Sequence, residues 1–339
     1  MGRDTPPKKK ILLALTVAVG AIALLEGASR LLVRAVPNAG FDHNLRLLSA
    51  VGIPALSEIL EPDPALFWRL RPNLDRHVVA GTIPGGKGVR FAASTDAERC
   101  RRGASTGPVS RLALFLGDSC TFGIGVEDEE AFPALLEKRI PGLVAINGGV
   151  PGYTAFQGRR RLETLELPRA PDVVVIAFGF NDAESWDDMG DDEHAAIIDA
   201  EARRFVHRLR IFDVLAGVFS RARADAPVRL GPVKRPRLTD EEYAREIRSI
   251  IQWCRDHGSQ PVLLAWPYAV QMESPIVKSK QAVLARLADS ESVALVDLVP
   301  AFRAHGGKRL FADVVHANAE GCRVVADTLR DRATGVFHD

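Results

Sequence analysis

The chain has 339 residues, of which 47% are hydrophobic and 26% are charged, and its formal net charge is +1. This composition allows one large globular domain with additional segments. The near-neutral charge gives no indication of a nucleic-acid partner or of another strongly charged partner.

The first predicted element is an apolar helix near the N-terminus. Arg3 and three lysines at positions 8–10 precede an uncharged apolar run over residues 11–25. The run is shorter than the roughly 20 residues of a membrane span, but continuation to Val36 would lengthen the helix. Because no convincing cleavage site follows, we assign residues 1–36 to a cytoplasmic tail and a transmembrane anchor, with a signal peptide as the alternative. The basic flank predicts a cytoplasmic N-terminus and an extracytoplasmic remainder, in the periplasm or at the cell surface.

The next segment, residues 37–110, is rich in Pro, Gly and Arg and has few long apolar runs. It is predicted to be a membrane-proximal segment with irregular structure or short strands, and no activity is assigned to it. We expect it to pack on the core through Phe67 and Trp68.

A short apolar run over residues 112–116 ends at Gly117 and is followed by Asp118 and Ser119. Such a run predicts a buried parallel strand that ends in a sharp turn. Ligands of open α/β sheets bind beyond the carboxyl ends of the strands, so the Ser119 hydroxyl should face the crevice. Taken alone, the three residues are equally typical of an ordinary strand-to-helix turn.

Two further apolar runs end in polar or glycine-rich turns. Residues 143–147 lead into a turn that contains Gly149 and Gly152, where the backbone can approach a ligand closely. Residues 172–178 lead into the turn that contains Asn181. Asparagine is also an ordinary turn residue, so its presence alone assigns no role.

The stretch 183–238 is longer than a simple crossover between strands needs. It begins with acidic residues at 187–193, continues with an amphipathic helical pattern at 205–219, and ends with a basic, proline-containing stretch at 221–237. It is interpreted as an insertion that forms a lid over the site, a membrane-facing flap, or a surface helix with a loop. The acidic residues lack the ligand spacing of an EF-hand, so a solvated loop is favoured over a calcium site.

The rest of the chain completes an alternation of helices and strands. Thr239 and Glu242 form a capping-box pattern, followed by an apolar helical face. The face consists of Tyr243, Ile247, Ile250, Ile251 and Cys254. With further strands near 261–266 and 293–298, the pattern predicts an α/β fold: a three-layer α/β/α sandwich with about five parallel strands.

Near the C-terminus, Asp313 precedes His316 by three residues, a spacing that lets the carboxylate fold back onto the imidazole. A solvated turn before a helix can show the same pair, so the pair acquires weight only together with the strand-end motifs.

Taken in order, these motifs resemble the four marker blocks of the SGNH (GDSL-type) hydrolases over roughly residues 110–332. The matching blocks are Gly117-Asp118-Ser119, Asn147 with Gly152, Gly179-Phe180-Asn181-Asp182, and Asp313-Val314-Val315-His316. The specificity lies in the ordered set. One departure is Ala317, where the family commonly has proline, although Asn318 remains as an N-cap for the last helix.

The resemblance implies a serine hydrolase with a flavodoxin-like sheet. Ser119 would be the nucleophile, His316 its base and Asp313 the residue that orients the base. The oxyanion hole would consist of the Ser119 backbone N–H, the Gly152 backbone N–H and the Asn181 amide, with Gly149 as a competitor of Gly152. Asp118 is interpreted as a structural residue of the turn.

Other chemistries lack their motifs. Ser119 does not lie in the Gly-x-Ser-x-Gly elbow of α/β-hydrolases, because Thr121 occupies the position of the second glycine, and Gly123-Ile124-Gly125 belongs to neither phosphate-binding pattern. The chain has no His-Glu-x-x-His, and its four cysteines lack Cys-x-x-Cys spacing. We therefore expect neither a metal nor a cofactor.

The sequence thus predicts a membrane-anchored, extracytoplasmic serine esterase domain over residues 111–335 with the 183–238 insertion. It would hydrolyse O-acyl esters, O-acetyl esters among them, through an acyl-enzyme, on a small ester or an acylated glycan. The alternatives are an O-acyltransferase that modifies envelope glycans and a non-catalytic glycan-binding module. The oligomeric state is left open.

Overall fold

The computed structural model describes residues 7–35, 54–82, 88–103, 110–203 and 235–332, together with Leu47, Ile211, Val214 and Val336. The chain divides into two compact units. The N-terminal unit comprises Met1–Ser49 and Ala196–Gly231, and the main unit comprises Ala50–Ala195 and Pro232–Asp339.

The N-terminal unit contains helix α1 (Pro7–Ala35), which confirms the predicted apolar helix. Its stretch Lys9–Leu32 is long and apolar enough to cross a membrane, with 24 residues and a mean hydropathy of 2.2. The apolar side chains are exposed along this stretch, unlike those of a core helix, although a signal sequence has the same properties. Near its end, Glu26 pairs with Arg30 at 2.6 Å and accepts the Ile211 N–H at 3.1 Å.

The main unit is built around a five-stranded parallel sheet in the order β6-β5-β7-β8-β9. Its strands are β5 (Arg111–Gly117), β6 (Leu143–Asn147), β7 (Val173–Ala177), β8 (Gln260–Ala265) and β9 (Ala294–Asp297). Every residue of β7 is buried, as expected for a central strand with both faces covered. The predicted sheet of about five parallel strands is confirmed.

Helices cover the sheet. The described helices after α1 are α2 (Ser119–Phe122), α3 (Phe132–Arg139), α4 (Ala155–Thr164), α5 (Phe180–Ala183), α6 (Asp191–Arg203), α7 (Asp240–Asp256), α8 (Ser279–Glu291), α9 (Val299–His305) and α10 (Ala319–Arg332). Single-turn 3₁₀ helices lie at Pro54–Glu58, Asp128–Glu130, Ala269–Met272 and Gly307–Leu310. In one layer α10 packs on α3 and α9, and in the other α7 packs on α4 and α8.

The alternation of side chains along the strands separates the two layers. The side chains of Ala113 and Phe115 in β5 belong to the hydrophobic cluster formed with α3, α9 and α10, whereas the buried side chain of Leu114 between them does not. This period of two is the geometry of a strand, and it gives the predicted three-layer arrangement. On the opposite side, the predicted apolar face of α7 is buried from Tyr243 to Cys254, and Thr239 caps the helix by accepting the Glu242 N–H at 3.2 Å.

The segment before β5 forms two antiparallel hairpins, consistent with the short strands expected there. They are β1 (Leu60–Asp63) with β2 (Phe67–Leu70), and β3 (His77–Thr82) with β4 (Gly88–Ala93). Phe67 stacks on Phe156 with ring centroids 6.0 Å apart, and Trp68 lies edge-on to Tyr153 at 6.1 Å. Phe67 and Trp68 therefore pack on the core as predicted.

One expectation differs from the structure. The acidic residues around 187–193 were expected to form a solvated loop, but Asp191 is fully buried at the start of α6, where it pairs with Arg237. The four cysteines of the chain are all free and buried. The predicted amphipathic pattern at 205–219 and the basic stretch at 221–234 lie outside the described residues, except for Ile211 and Val214.

Candidate active site

The Ser119 turn follows β5 directly. Asp118 caps helix α2 by accepting the Cys120 N–H at 2.8 Å, which places Ser119 at the first helical position. A Cβ atom at Gly117 would collide with Thr121 Oγ1 and would lie 2.7 Å from the Ala177 carbonyl oxygen. Only glycine therefore allows the sharp turn that presents Ser119 at the carboxyl end of the sheet.

Ser119, His316 and Asp313 form a continuous chain of hydrogen bonds. Ser119 Oγ lies 2.8 Å from His316 Nε2, and His316 Nδ1 lies 2.6 Å from Asp313 Oδ2. Because Nδ1–H donates to the carboxylate, Nε2 is left to accept from the serine hydroxyl. Ser119 and His316 are 197 positions apart in the sequence, and the fold brings them into contact.

The loop that carries His316 is held by its own residues. Asp313 Oδ1 accepts the N–H groups of Val315 and His316 at 2.8 and 2.7 Å. Burial alone would raise the pKa of the Asp313 carboxyl, but the hydrogen bond and charge of His316 and these two N–H groups hold that pKa below its usual value. The carboxylate is therefore ionised at neutral pH, as the orientation of an imidazole requires. Asn318 Oδ1 accepts the Gly321 N–H at 3.0 Å and caps α10, as predicted.

Asp118 lies on the other side of the turn. Burial raises its pKa to about 6, although the hydrogen bonds from Cys120 and the charge of His316 oppose this shift. Its two oxygens are occupied by the Cys120 N–H and the Asn181 side chain. These contacts are those of a residue that shapes the turn, and none of them joins Asp118 to the Ser119 hydroxyl.

The glycine-rich turn after β6 supplies the second predicted donor. The Gly149 N–H donates to Asn147 Oδ1 at 3.1 Å and is thereby engaged. The Gly152 N–H has no acceptor among the residues that the structure describes, and Gly152 adopts a φ of 82° that favours glycine. Of the two glycines left open by the sequence, Gly152 is the one whose N–H is available to a ligand.

Asn181 lies beside this turn at the start of α5. Its Nδ2 donates to Asp118 Oδ2 at 3.1 Å and to the Tyr153 carbonyl oxygen at 3.0 Å. Both amide hydrogens are therefore directed at protein acceptors. The residue connects the Ser119 turn to the glycine-rich turn, and an oxyanion could receive an amide hydrogen only by sharing it with one of these acceptors.

A cavity of about 360 Å³ adjoins the site. Its wall includes Phe180, which precedes Asn181, and Val314, which lies between Asp313 and His316. Tyr268 and Val270 form the facing wall, and the rings of Phe180 and Tyr268 lie 5.8 Å apart. Lys278, Lys280 and Glu184 add polar groups at the lining. The cavity offers a largely apolar surface whose lining includes the chain neighbour of Asn181 and a residue of the loop that carries His316.

Sequence reasoning assigned no role at the site to Trp68, Asp191 or Arg237. Trp68 Nε1 donates to the Pro151 carbonyl oxygen at 2.9 Å, and Arg237 Nη1 donates to the Gly152 carbonyl oxygen at 2.6 Å. Asp191 forms a fully buried pair with Arg237. Trp68 was expected to pack on the core, but no local pattern marks the other two, since their contacts span distant parts of the chain.

The part of the chain that contains these residues matches a known protein family. A model of the GDSL-like lipase/acylhydrolase family matches residues 115–324, more than half of the chain. The chain belongs to this family. The predicted resemblance is thereby confirmed, and the family match covers all four motifs while leaving out the hairpins before β5.

Individual relatives are more distant. An arylesterase from Vibrio mimicus is 35% identical over 77 residues, which cover 22% of this chain and 38% of the arylesterase. A lipase/acylhydrolase from Enterococcus faecalis is 20% identical, covers 66% of this chain and 96% of its own, and has a TM-score of 0.44. An acetylxylan esterase from Geobacillus stearothermophilus is 18% identical, with 66% and 94% coverage and a TM-score of 0.44.

Proposed function

We propose that this member of the GDSL-like family is a serine esterase that hydrolyses O-acyl esters through an acyl-enzyme. The observation that carries the proposal is the chain of hydrogen bonds from Asp313 through His316 to Ser119, with distances of 2.6 and 2.8 Å. A serine hydroxyl needs such an adjacent base to become nucleophilic at neutral pH. The buried, ionised carboxylate stabilises the imidazolium that forms.

The reaction then has two steps. Ser119 Oγ attacks the ester carbonyl carbon while its proton moves to His316 Nε2, and the negative charge collects on the carbonyl oxygen. The ester C–O bond breaks, and the alcohol leaves with the proton from His316. In the second step a water molecule gives a proton to His316 and attacks the acyl carbon, after which the carboxylic acid is released and Ser119 regains its proton.

The oxyanion would be stabilised by preorganised donors at the carboxyl ends of β5, β6 and β7. The Ser119 N–H and the Gly152 N–H are the two backbone donors. For Asn181, one amide hydrogen that is now directed at Asp118 or at the Tyr153 carbonyl would be shared with the oxyanion. Hydrogen bonds of this kind often reach their best geometry only when the substrate is bound.

The cavity between Phe180, Tyr268, Val270 and Val314 supports a choice of acyl group. Its volume of about 360 Å³ is far larger than an acetyl group requires, and its aliphatic and aromatic walls match a hydrocarbon chain. We therefore favour acyl chains longer than acetyl as substrates. O-acetyl esters of small molecules or envelope glycans would also be accepted, but the acetyl group would contact less of the cavity wall.

Helix α1 supports a membrane location. Its 24-residue stretch Lys9–Leu32 begins within a group of lysines at positions 8–10, which by the positive-inside rule would keep the N-terminus in the cytoplasm and carry the enzyme across the membrane. An alkaline-phosphatase fusion after residue 40 should then be active, and the full-length chain should resist carbonate extraction. A shorter, released chain would instead indicate a cleaved signal peptide.

The chemistry is tested with the detergent-solubilised full-length chain. We expect a fluorophosphonate probe to label the wild type and the control Ser259→Ala, which alters another buried serine, but not Ser119→Ala. Hydrolysis of a panel of esters should be lost in the same variant. Equal labelling of Ser119→Ala would refute the nucleophile, and inactivity of the wild type towards probe and esters would favour the glycan-binding module. Transfer of the acyl group to an added sugar in preference to water would favour the acyltransferase.

A further inference from the structure

The turn that carries Gly152 is held by two side chains from remote parts of the sequence. Trp68 Nε1 donates to the Pro151 carbonyl oxygen, 83 residues away, at 2.9 Å. Arg237 Nη1 donates to the Gly152 carbonyl oxygen, 85 residues away, at 2.6 Å. Both side chains are fully buried. Hydrogen bonds of this kind fix the orientation of the two peptide groups on either side of Gly152.

Peptide planarity turns these contacts into control of the Gly152 N–H. The Pro151 carbonyl and the Gly152 N–H belong to one planar trans peptide, so they point in opposite directions. When Trp68 fixes the carbonyl, it also fixes the direction of the N–H. Arg237 fixes the following peptide, and the two together define the φ of 82° at Gly152. Glycine is the residue least able to hold such a conformation unaided, because it has the greatest backbone freedom.

Trp68 is itself held in place. The Tyr153 hydroxyl donates to the Trp68 carbonyl oxygen at 2.6 Å, so the strand and the turn bind each other reciprocally. The preceding residue, Phe67, adopts a φ of 66°, which is unfavourable for a bulky side chain. Such a conformation persists only where the surrounding packing determines it. The position of the indole N–H is therefore imposed by the structure rather than by local preference.

Arg237 is held just as firmly. Its guanidinium makes a bidentate pair with Asp191 at 2.8 and 2.9 Å, and it donates to Gln157 Oε1 at 2.7 Å. It also lies 3.7 Å from the centre of the Trp186 ring. The planar fork and its permanent charge suit this geometry, in which one group binds a carboxylate and a carbonyl at once. Residues at the two ends of the 183–238 insertion thus meet at the Gly152 turn.

We propose that Trp68 and Arg237 are positioning residues for the reaction, which aim the Gly152 N–H at the oxyanion by fixing both peptide groups of Gly152. The inference rests on the proposed esterase function. It gives the hairpin of β1 and β2, which lies outside the family match, and the ends of the insertion a direct part in catalysis. A donor that is aimed in advance requires no reorganisation during the reaction.

The decisive variant removes the indole N–H of Trp68 in the full-length chain. We expect Trp68→Phe to lower kcat by about tenfold, a fraction of the 10²–10³-fold cost of a lost oxyanion donor, with KM changed less than twofold. A trifluoromethyl ketone, which places an oxyanion on the serine adduct, should lose affinity by the same factor as kcat. Arg237→Lys should show the same pattern, since one ammonium group cannot serve both Asp191 and Gly152.

The matched control is Tyr243→Phe, which removes another buried donor to a backbone carbonyl, the bond from Tyr243 Oη to the Phe178 oxygen at 2.9 Å. It should lower thermal stability by a comparable amount and leave kcat unchanged. If Trp68→Phe does not fold, 3-benzothienylalanine at position 68 keeps the shape of the ring without its N–H, and the same losses are expected.

The inference is overturned if the Trp68 and Arg237 variants keep the wild-type kcat, if they raise KM alone, or if Tyr243→Phe loses as much kcat as they do. These results differ from a failure of the proposed function, in which the wild type itself neither hydrolyses esters nor reacts with a fluorophosphonate.

Discussion

The two halves of the proposed active site, the triad as the proton-transfer half and the proposed oxyanion hole as the oxyanion half, are held by different kinds of contact. In the proton-transfer half, Asp313 binds the backbone of the loop that carries its partner His316, within three residues. In the oxyanion half, the Gly152 turn depends on Trp68 and Arg237, which are more than eighty residues away. The first half is largely specified by local spacing, and the second by long-range packing.

The carboxyl groups of the two halves also differ in their electrostatics. The pKa of Asp313 is held low, because the stabilisation by His316 and two backbone N–H groups exceeds the effect of burial. Burial raises the pKa of Asp182 to about 7, against the hydrogen bond from the Ala155 N–H and the charges of Arg237 and Lys280. Hydrogen bonds and charge thus outweigh burial at Asp313, whereas burial outweighs them at Asp182, which follows Asn181 in the chain.

The largest expected effect lies in the proton-transfer half. Asp313→Asn should lower kcat by about 10⁴-fold, because the amide would stabilise the wrong tautomer of His316 while the fold is kept. Single-turnover ester hydrolysis and a melting curve measure the two effects separately. A decrease in kcat of less than about tenfold would show that Asp313 is not the residue that orients His316 for catalysis.

A smaller effect is expected in the oxyanion half. Asn181→Ala should lower kcat by about 10²–10³-fold with little change in KM, since the shared amide hydrogen would act mainly in the transition state. Comparison with Asp118→Asn separates this role from the structural link between the two residues. If both variants lose the same kcat, Asn181 acts through Asp118 and donates nothing to the oxyanion.

The cavity beside the oxyanion half gives a prediction about selectivity. Val270→Trp should lower kcat/KM for octanoyl esters relative to acetyl esters by about tenfold, since filling the wall removes the contacts of about two methylene groups, each worth about 0.8 kcal/mol. Val78→Trp is the matched control, because Val78 is a similarly exposed valine that lies outside the cavity lining. An unchanged ratio in Val270→Trp would show that acyl chains bind elsewhere.

A further expected effect concerns stability and not the rate of the reaction. Because the folded state holds the Asp182 proton more tightly than the unfolded chain, its contribution is present near pH 4 and is lost as the pH rises to about 7. Asp182 Oδ2 is buried with no hydrogen-bond partner in the described part of the chain, so ionisation there is uncompensated. Asp182→Asn cannot ionise. Between pH 5 and 8 its unfolding free energy should therefore gain about 1–3 kcal/mol relative to the wild type, at about 1.4 kcal/mol for each unit of pKa.

Denaturant unfolding at both pH values measures this difference. Asp188→Asn, on an exposed side chain, is the control and should follow the wild-type pH dependence. Parallel pH dependence of Asp182→Asn and the wild type would contradict the raised pKa of Asp182.

Much of the fold was predictable because its signals are local. Buried parallel strands are short apolar runs in the sequence. The bounds of the five predicted runs agree within one residue with those of β5, β6, β7, β8 and β9. The capping box at Thr239 and the apolar face of α7 are set by helical periodicity. The buried position of Asp191 was not predictable, because nothing in an acidic stretch indicates that an arginine 46 residues later will enter the same site.

By itself, the sequence determined the strand-end motifs, their order and the pairing of Asp313 with His316, since a strand end and a three-residue spacing fix geometry within a few residues. The spacing from Asn147 already favoured Gly152 over Gly149 as the second donor, whereas only the tertiary structure showed that the Gly149 N–H is taken by Asn147. It also decided that Trp68 and Arg237 meet at the Gly152 turn. Such contacts follow from the packing of segments far apart in the chain, for which a linear pattern carries no signal.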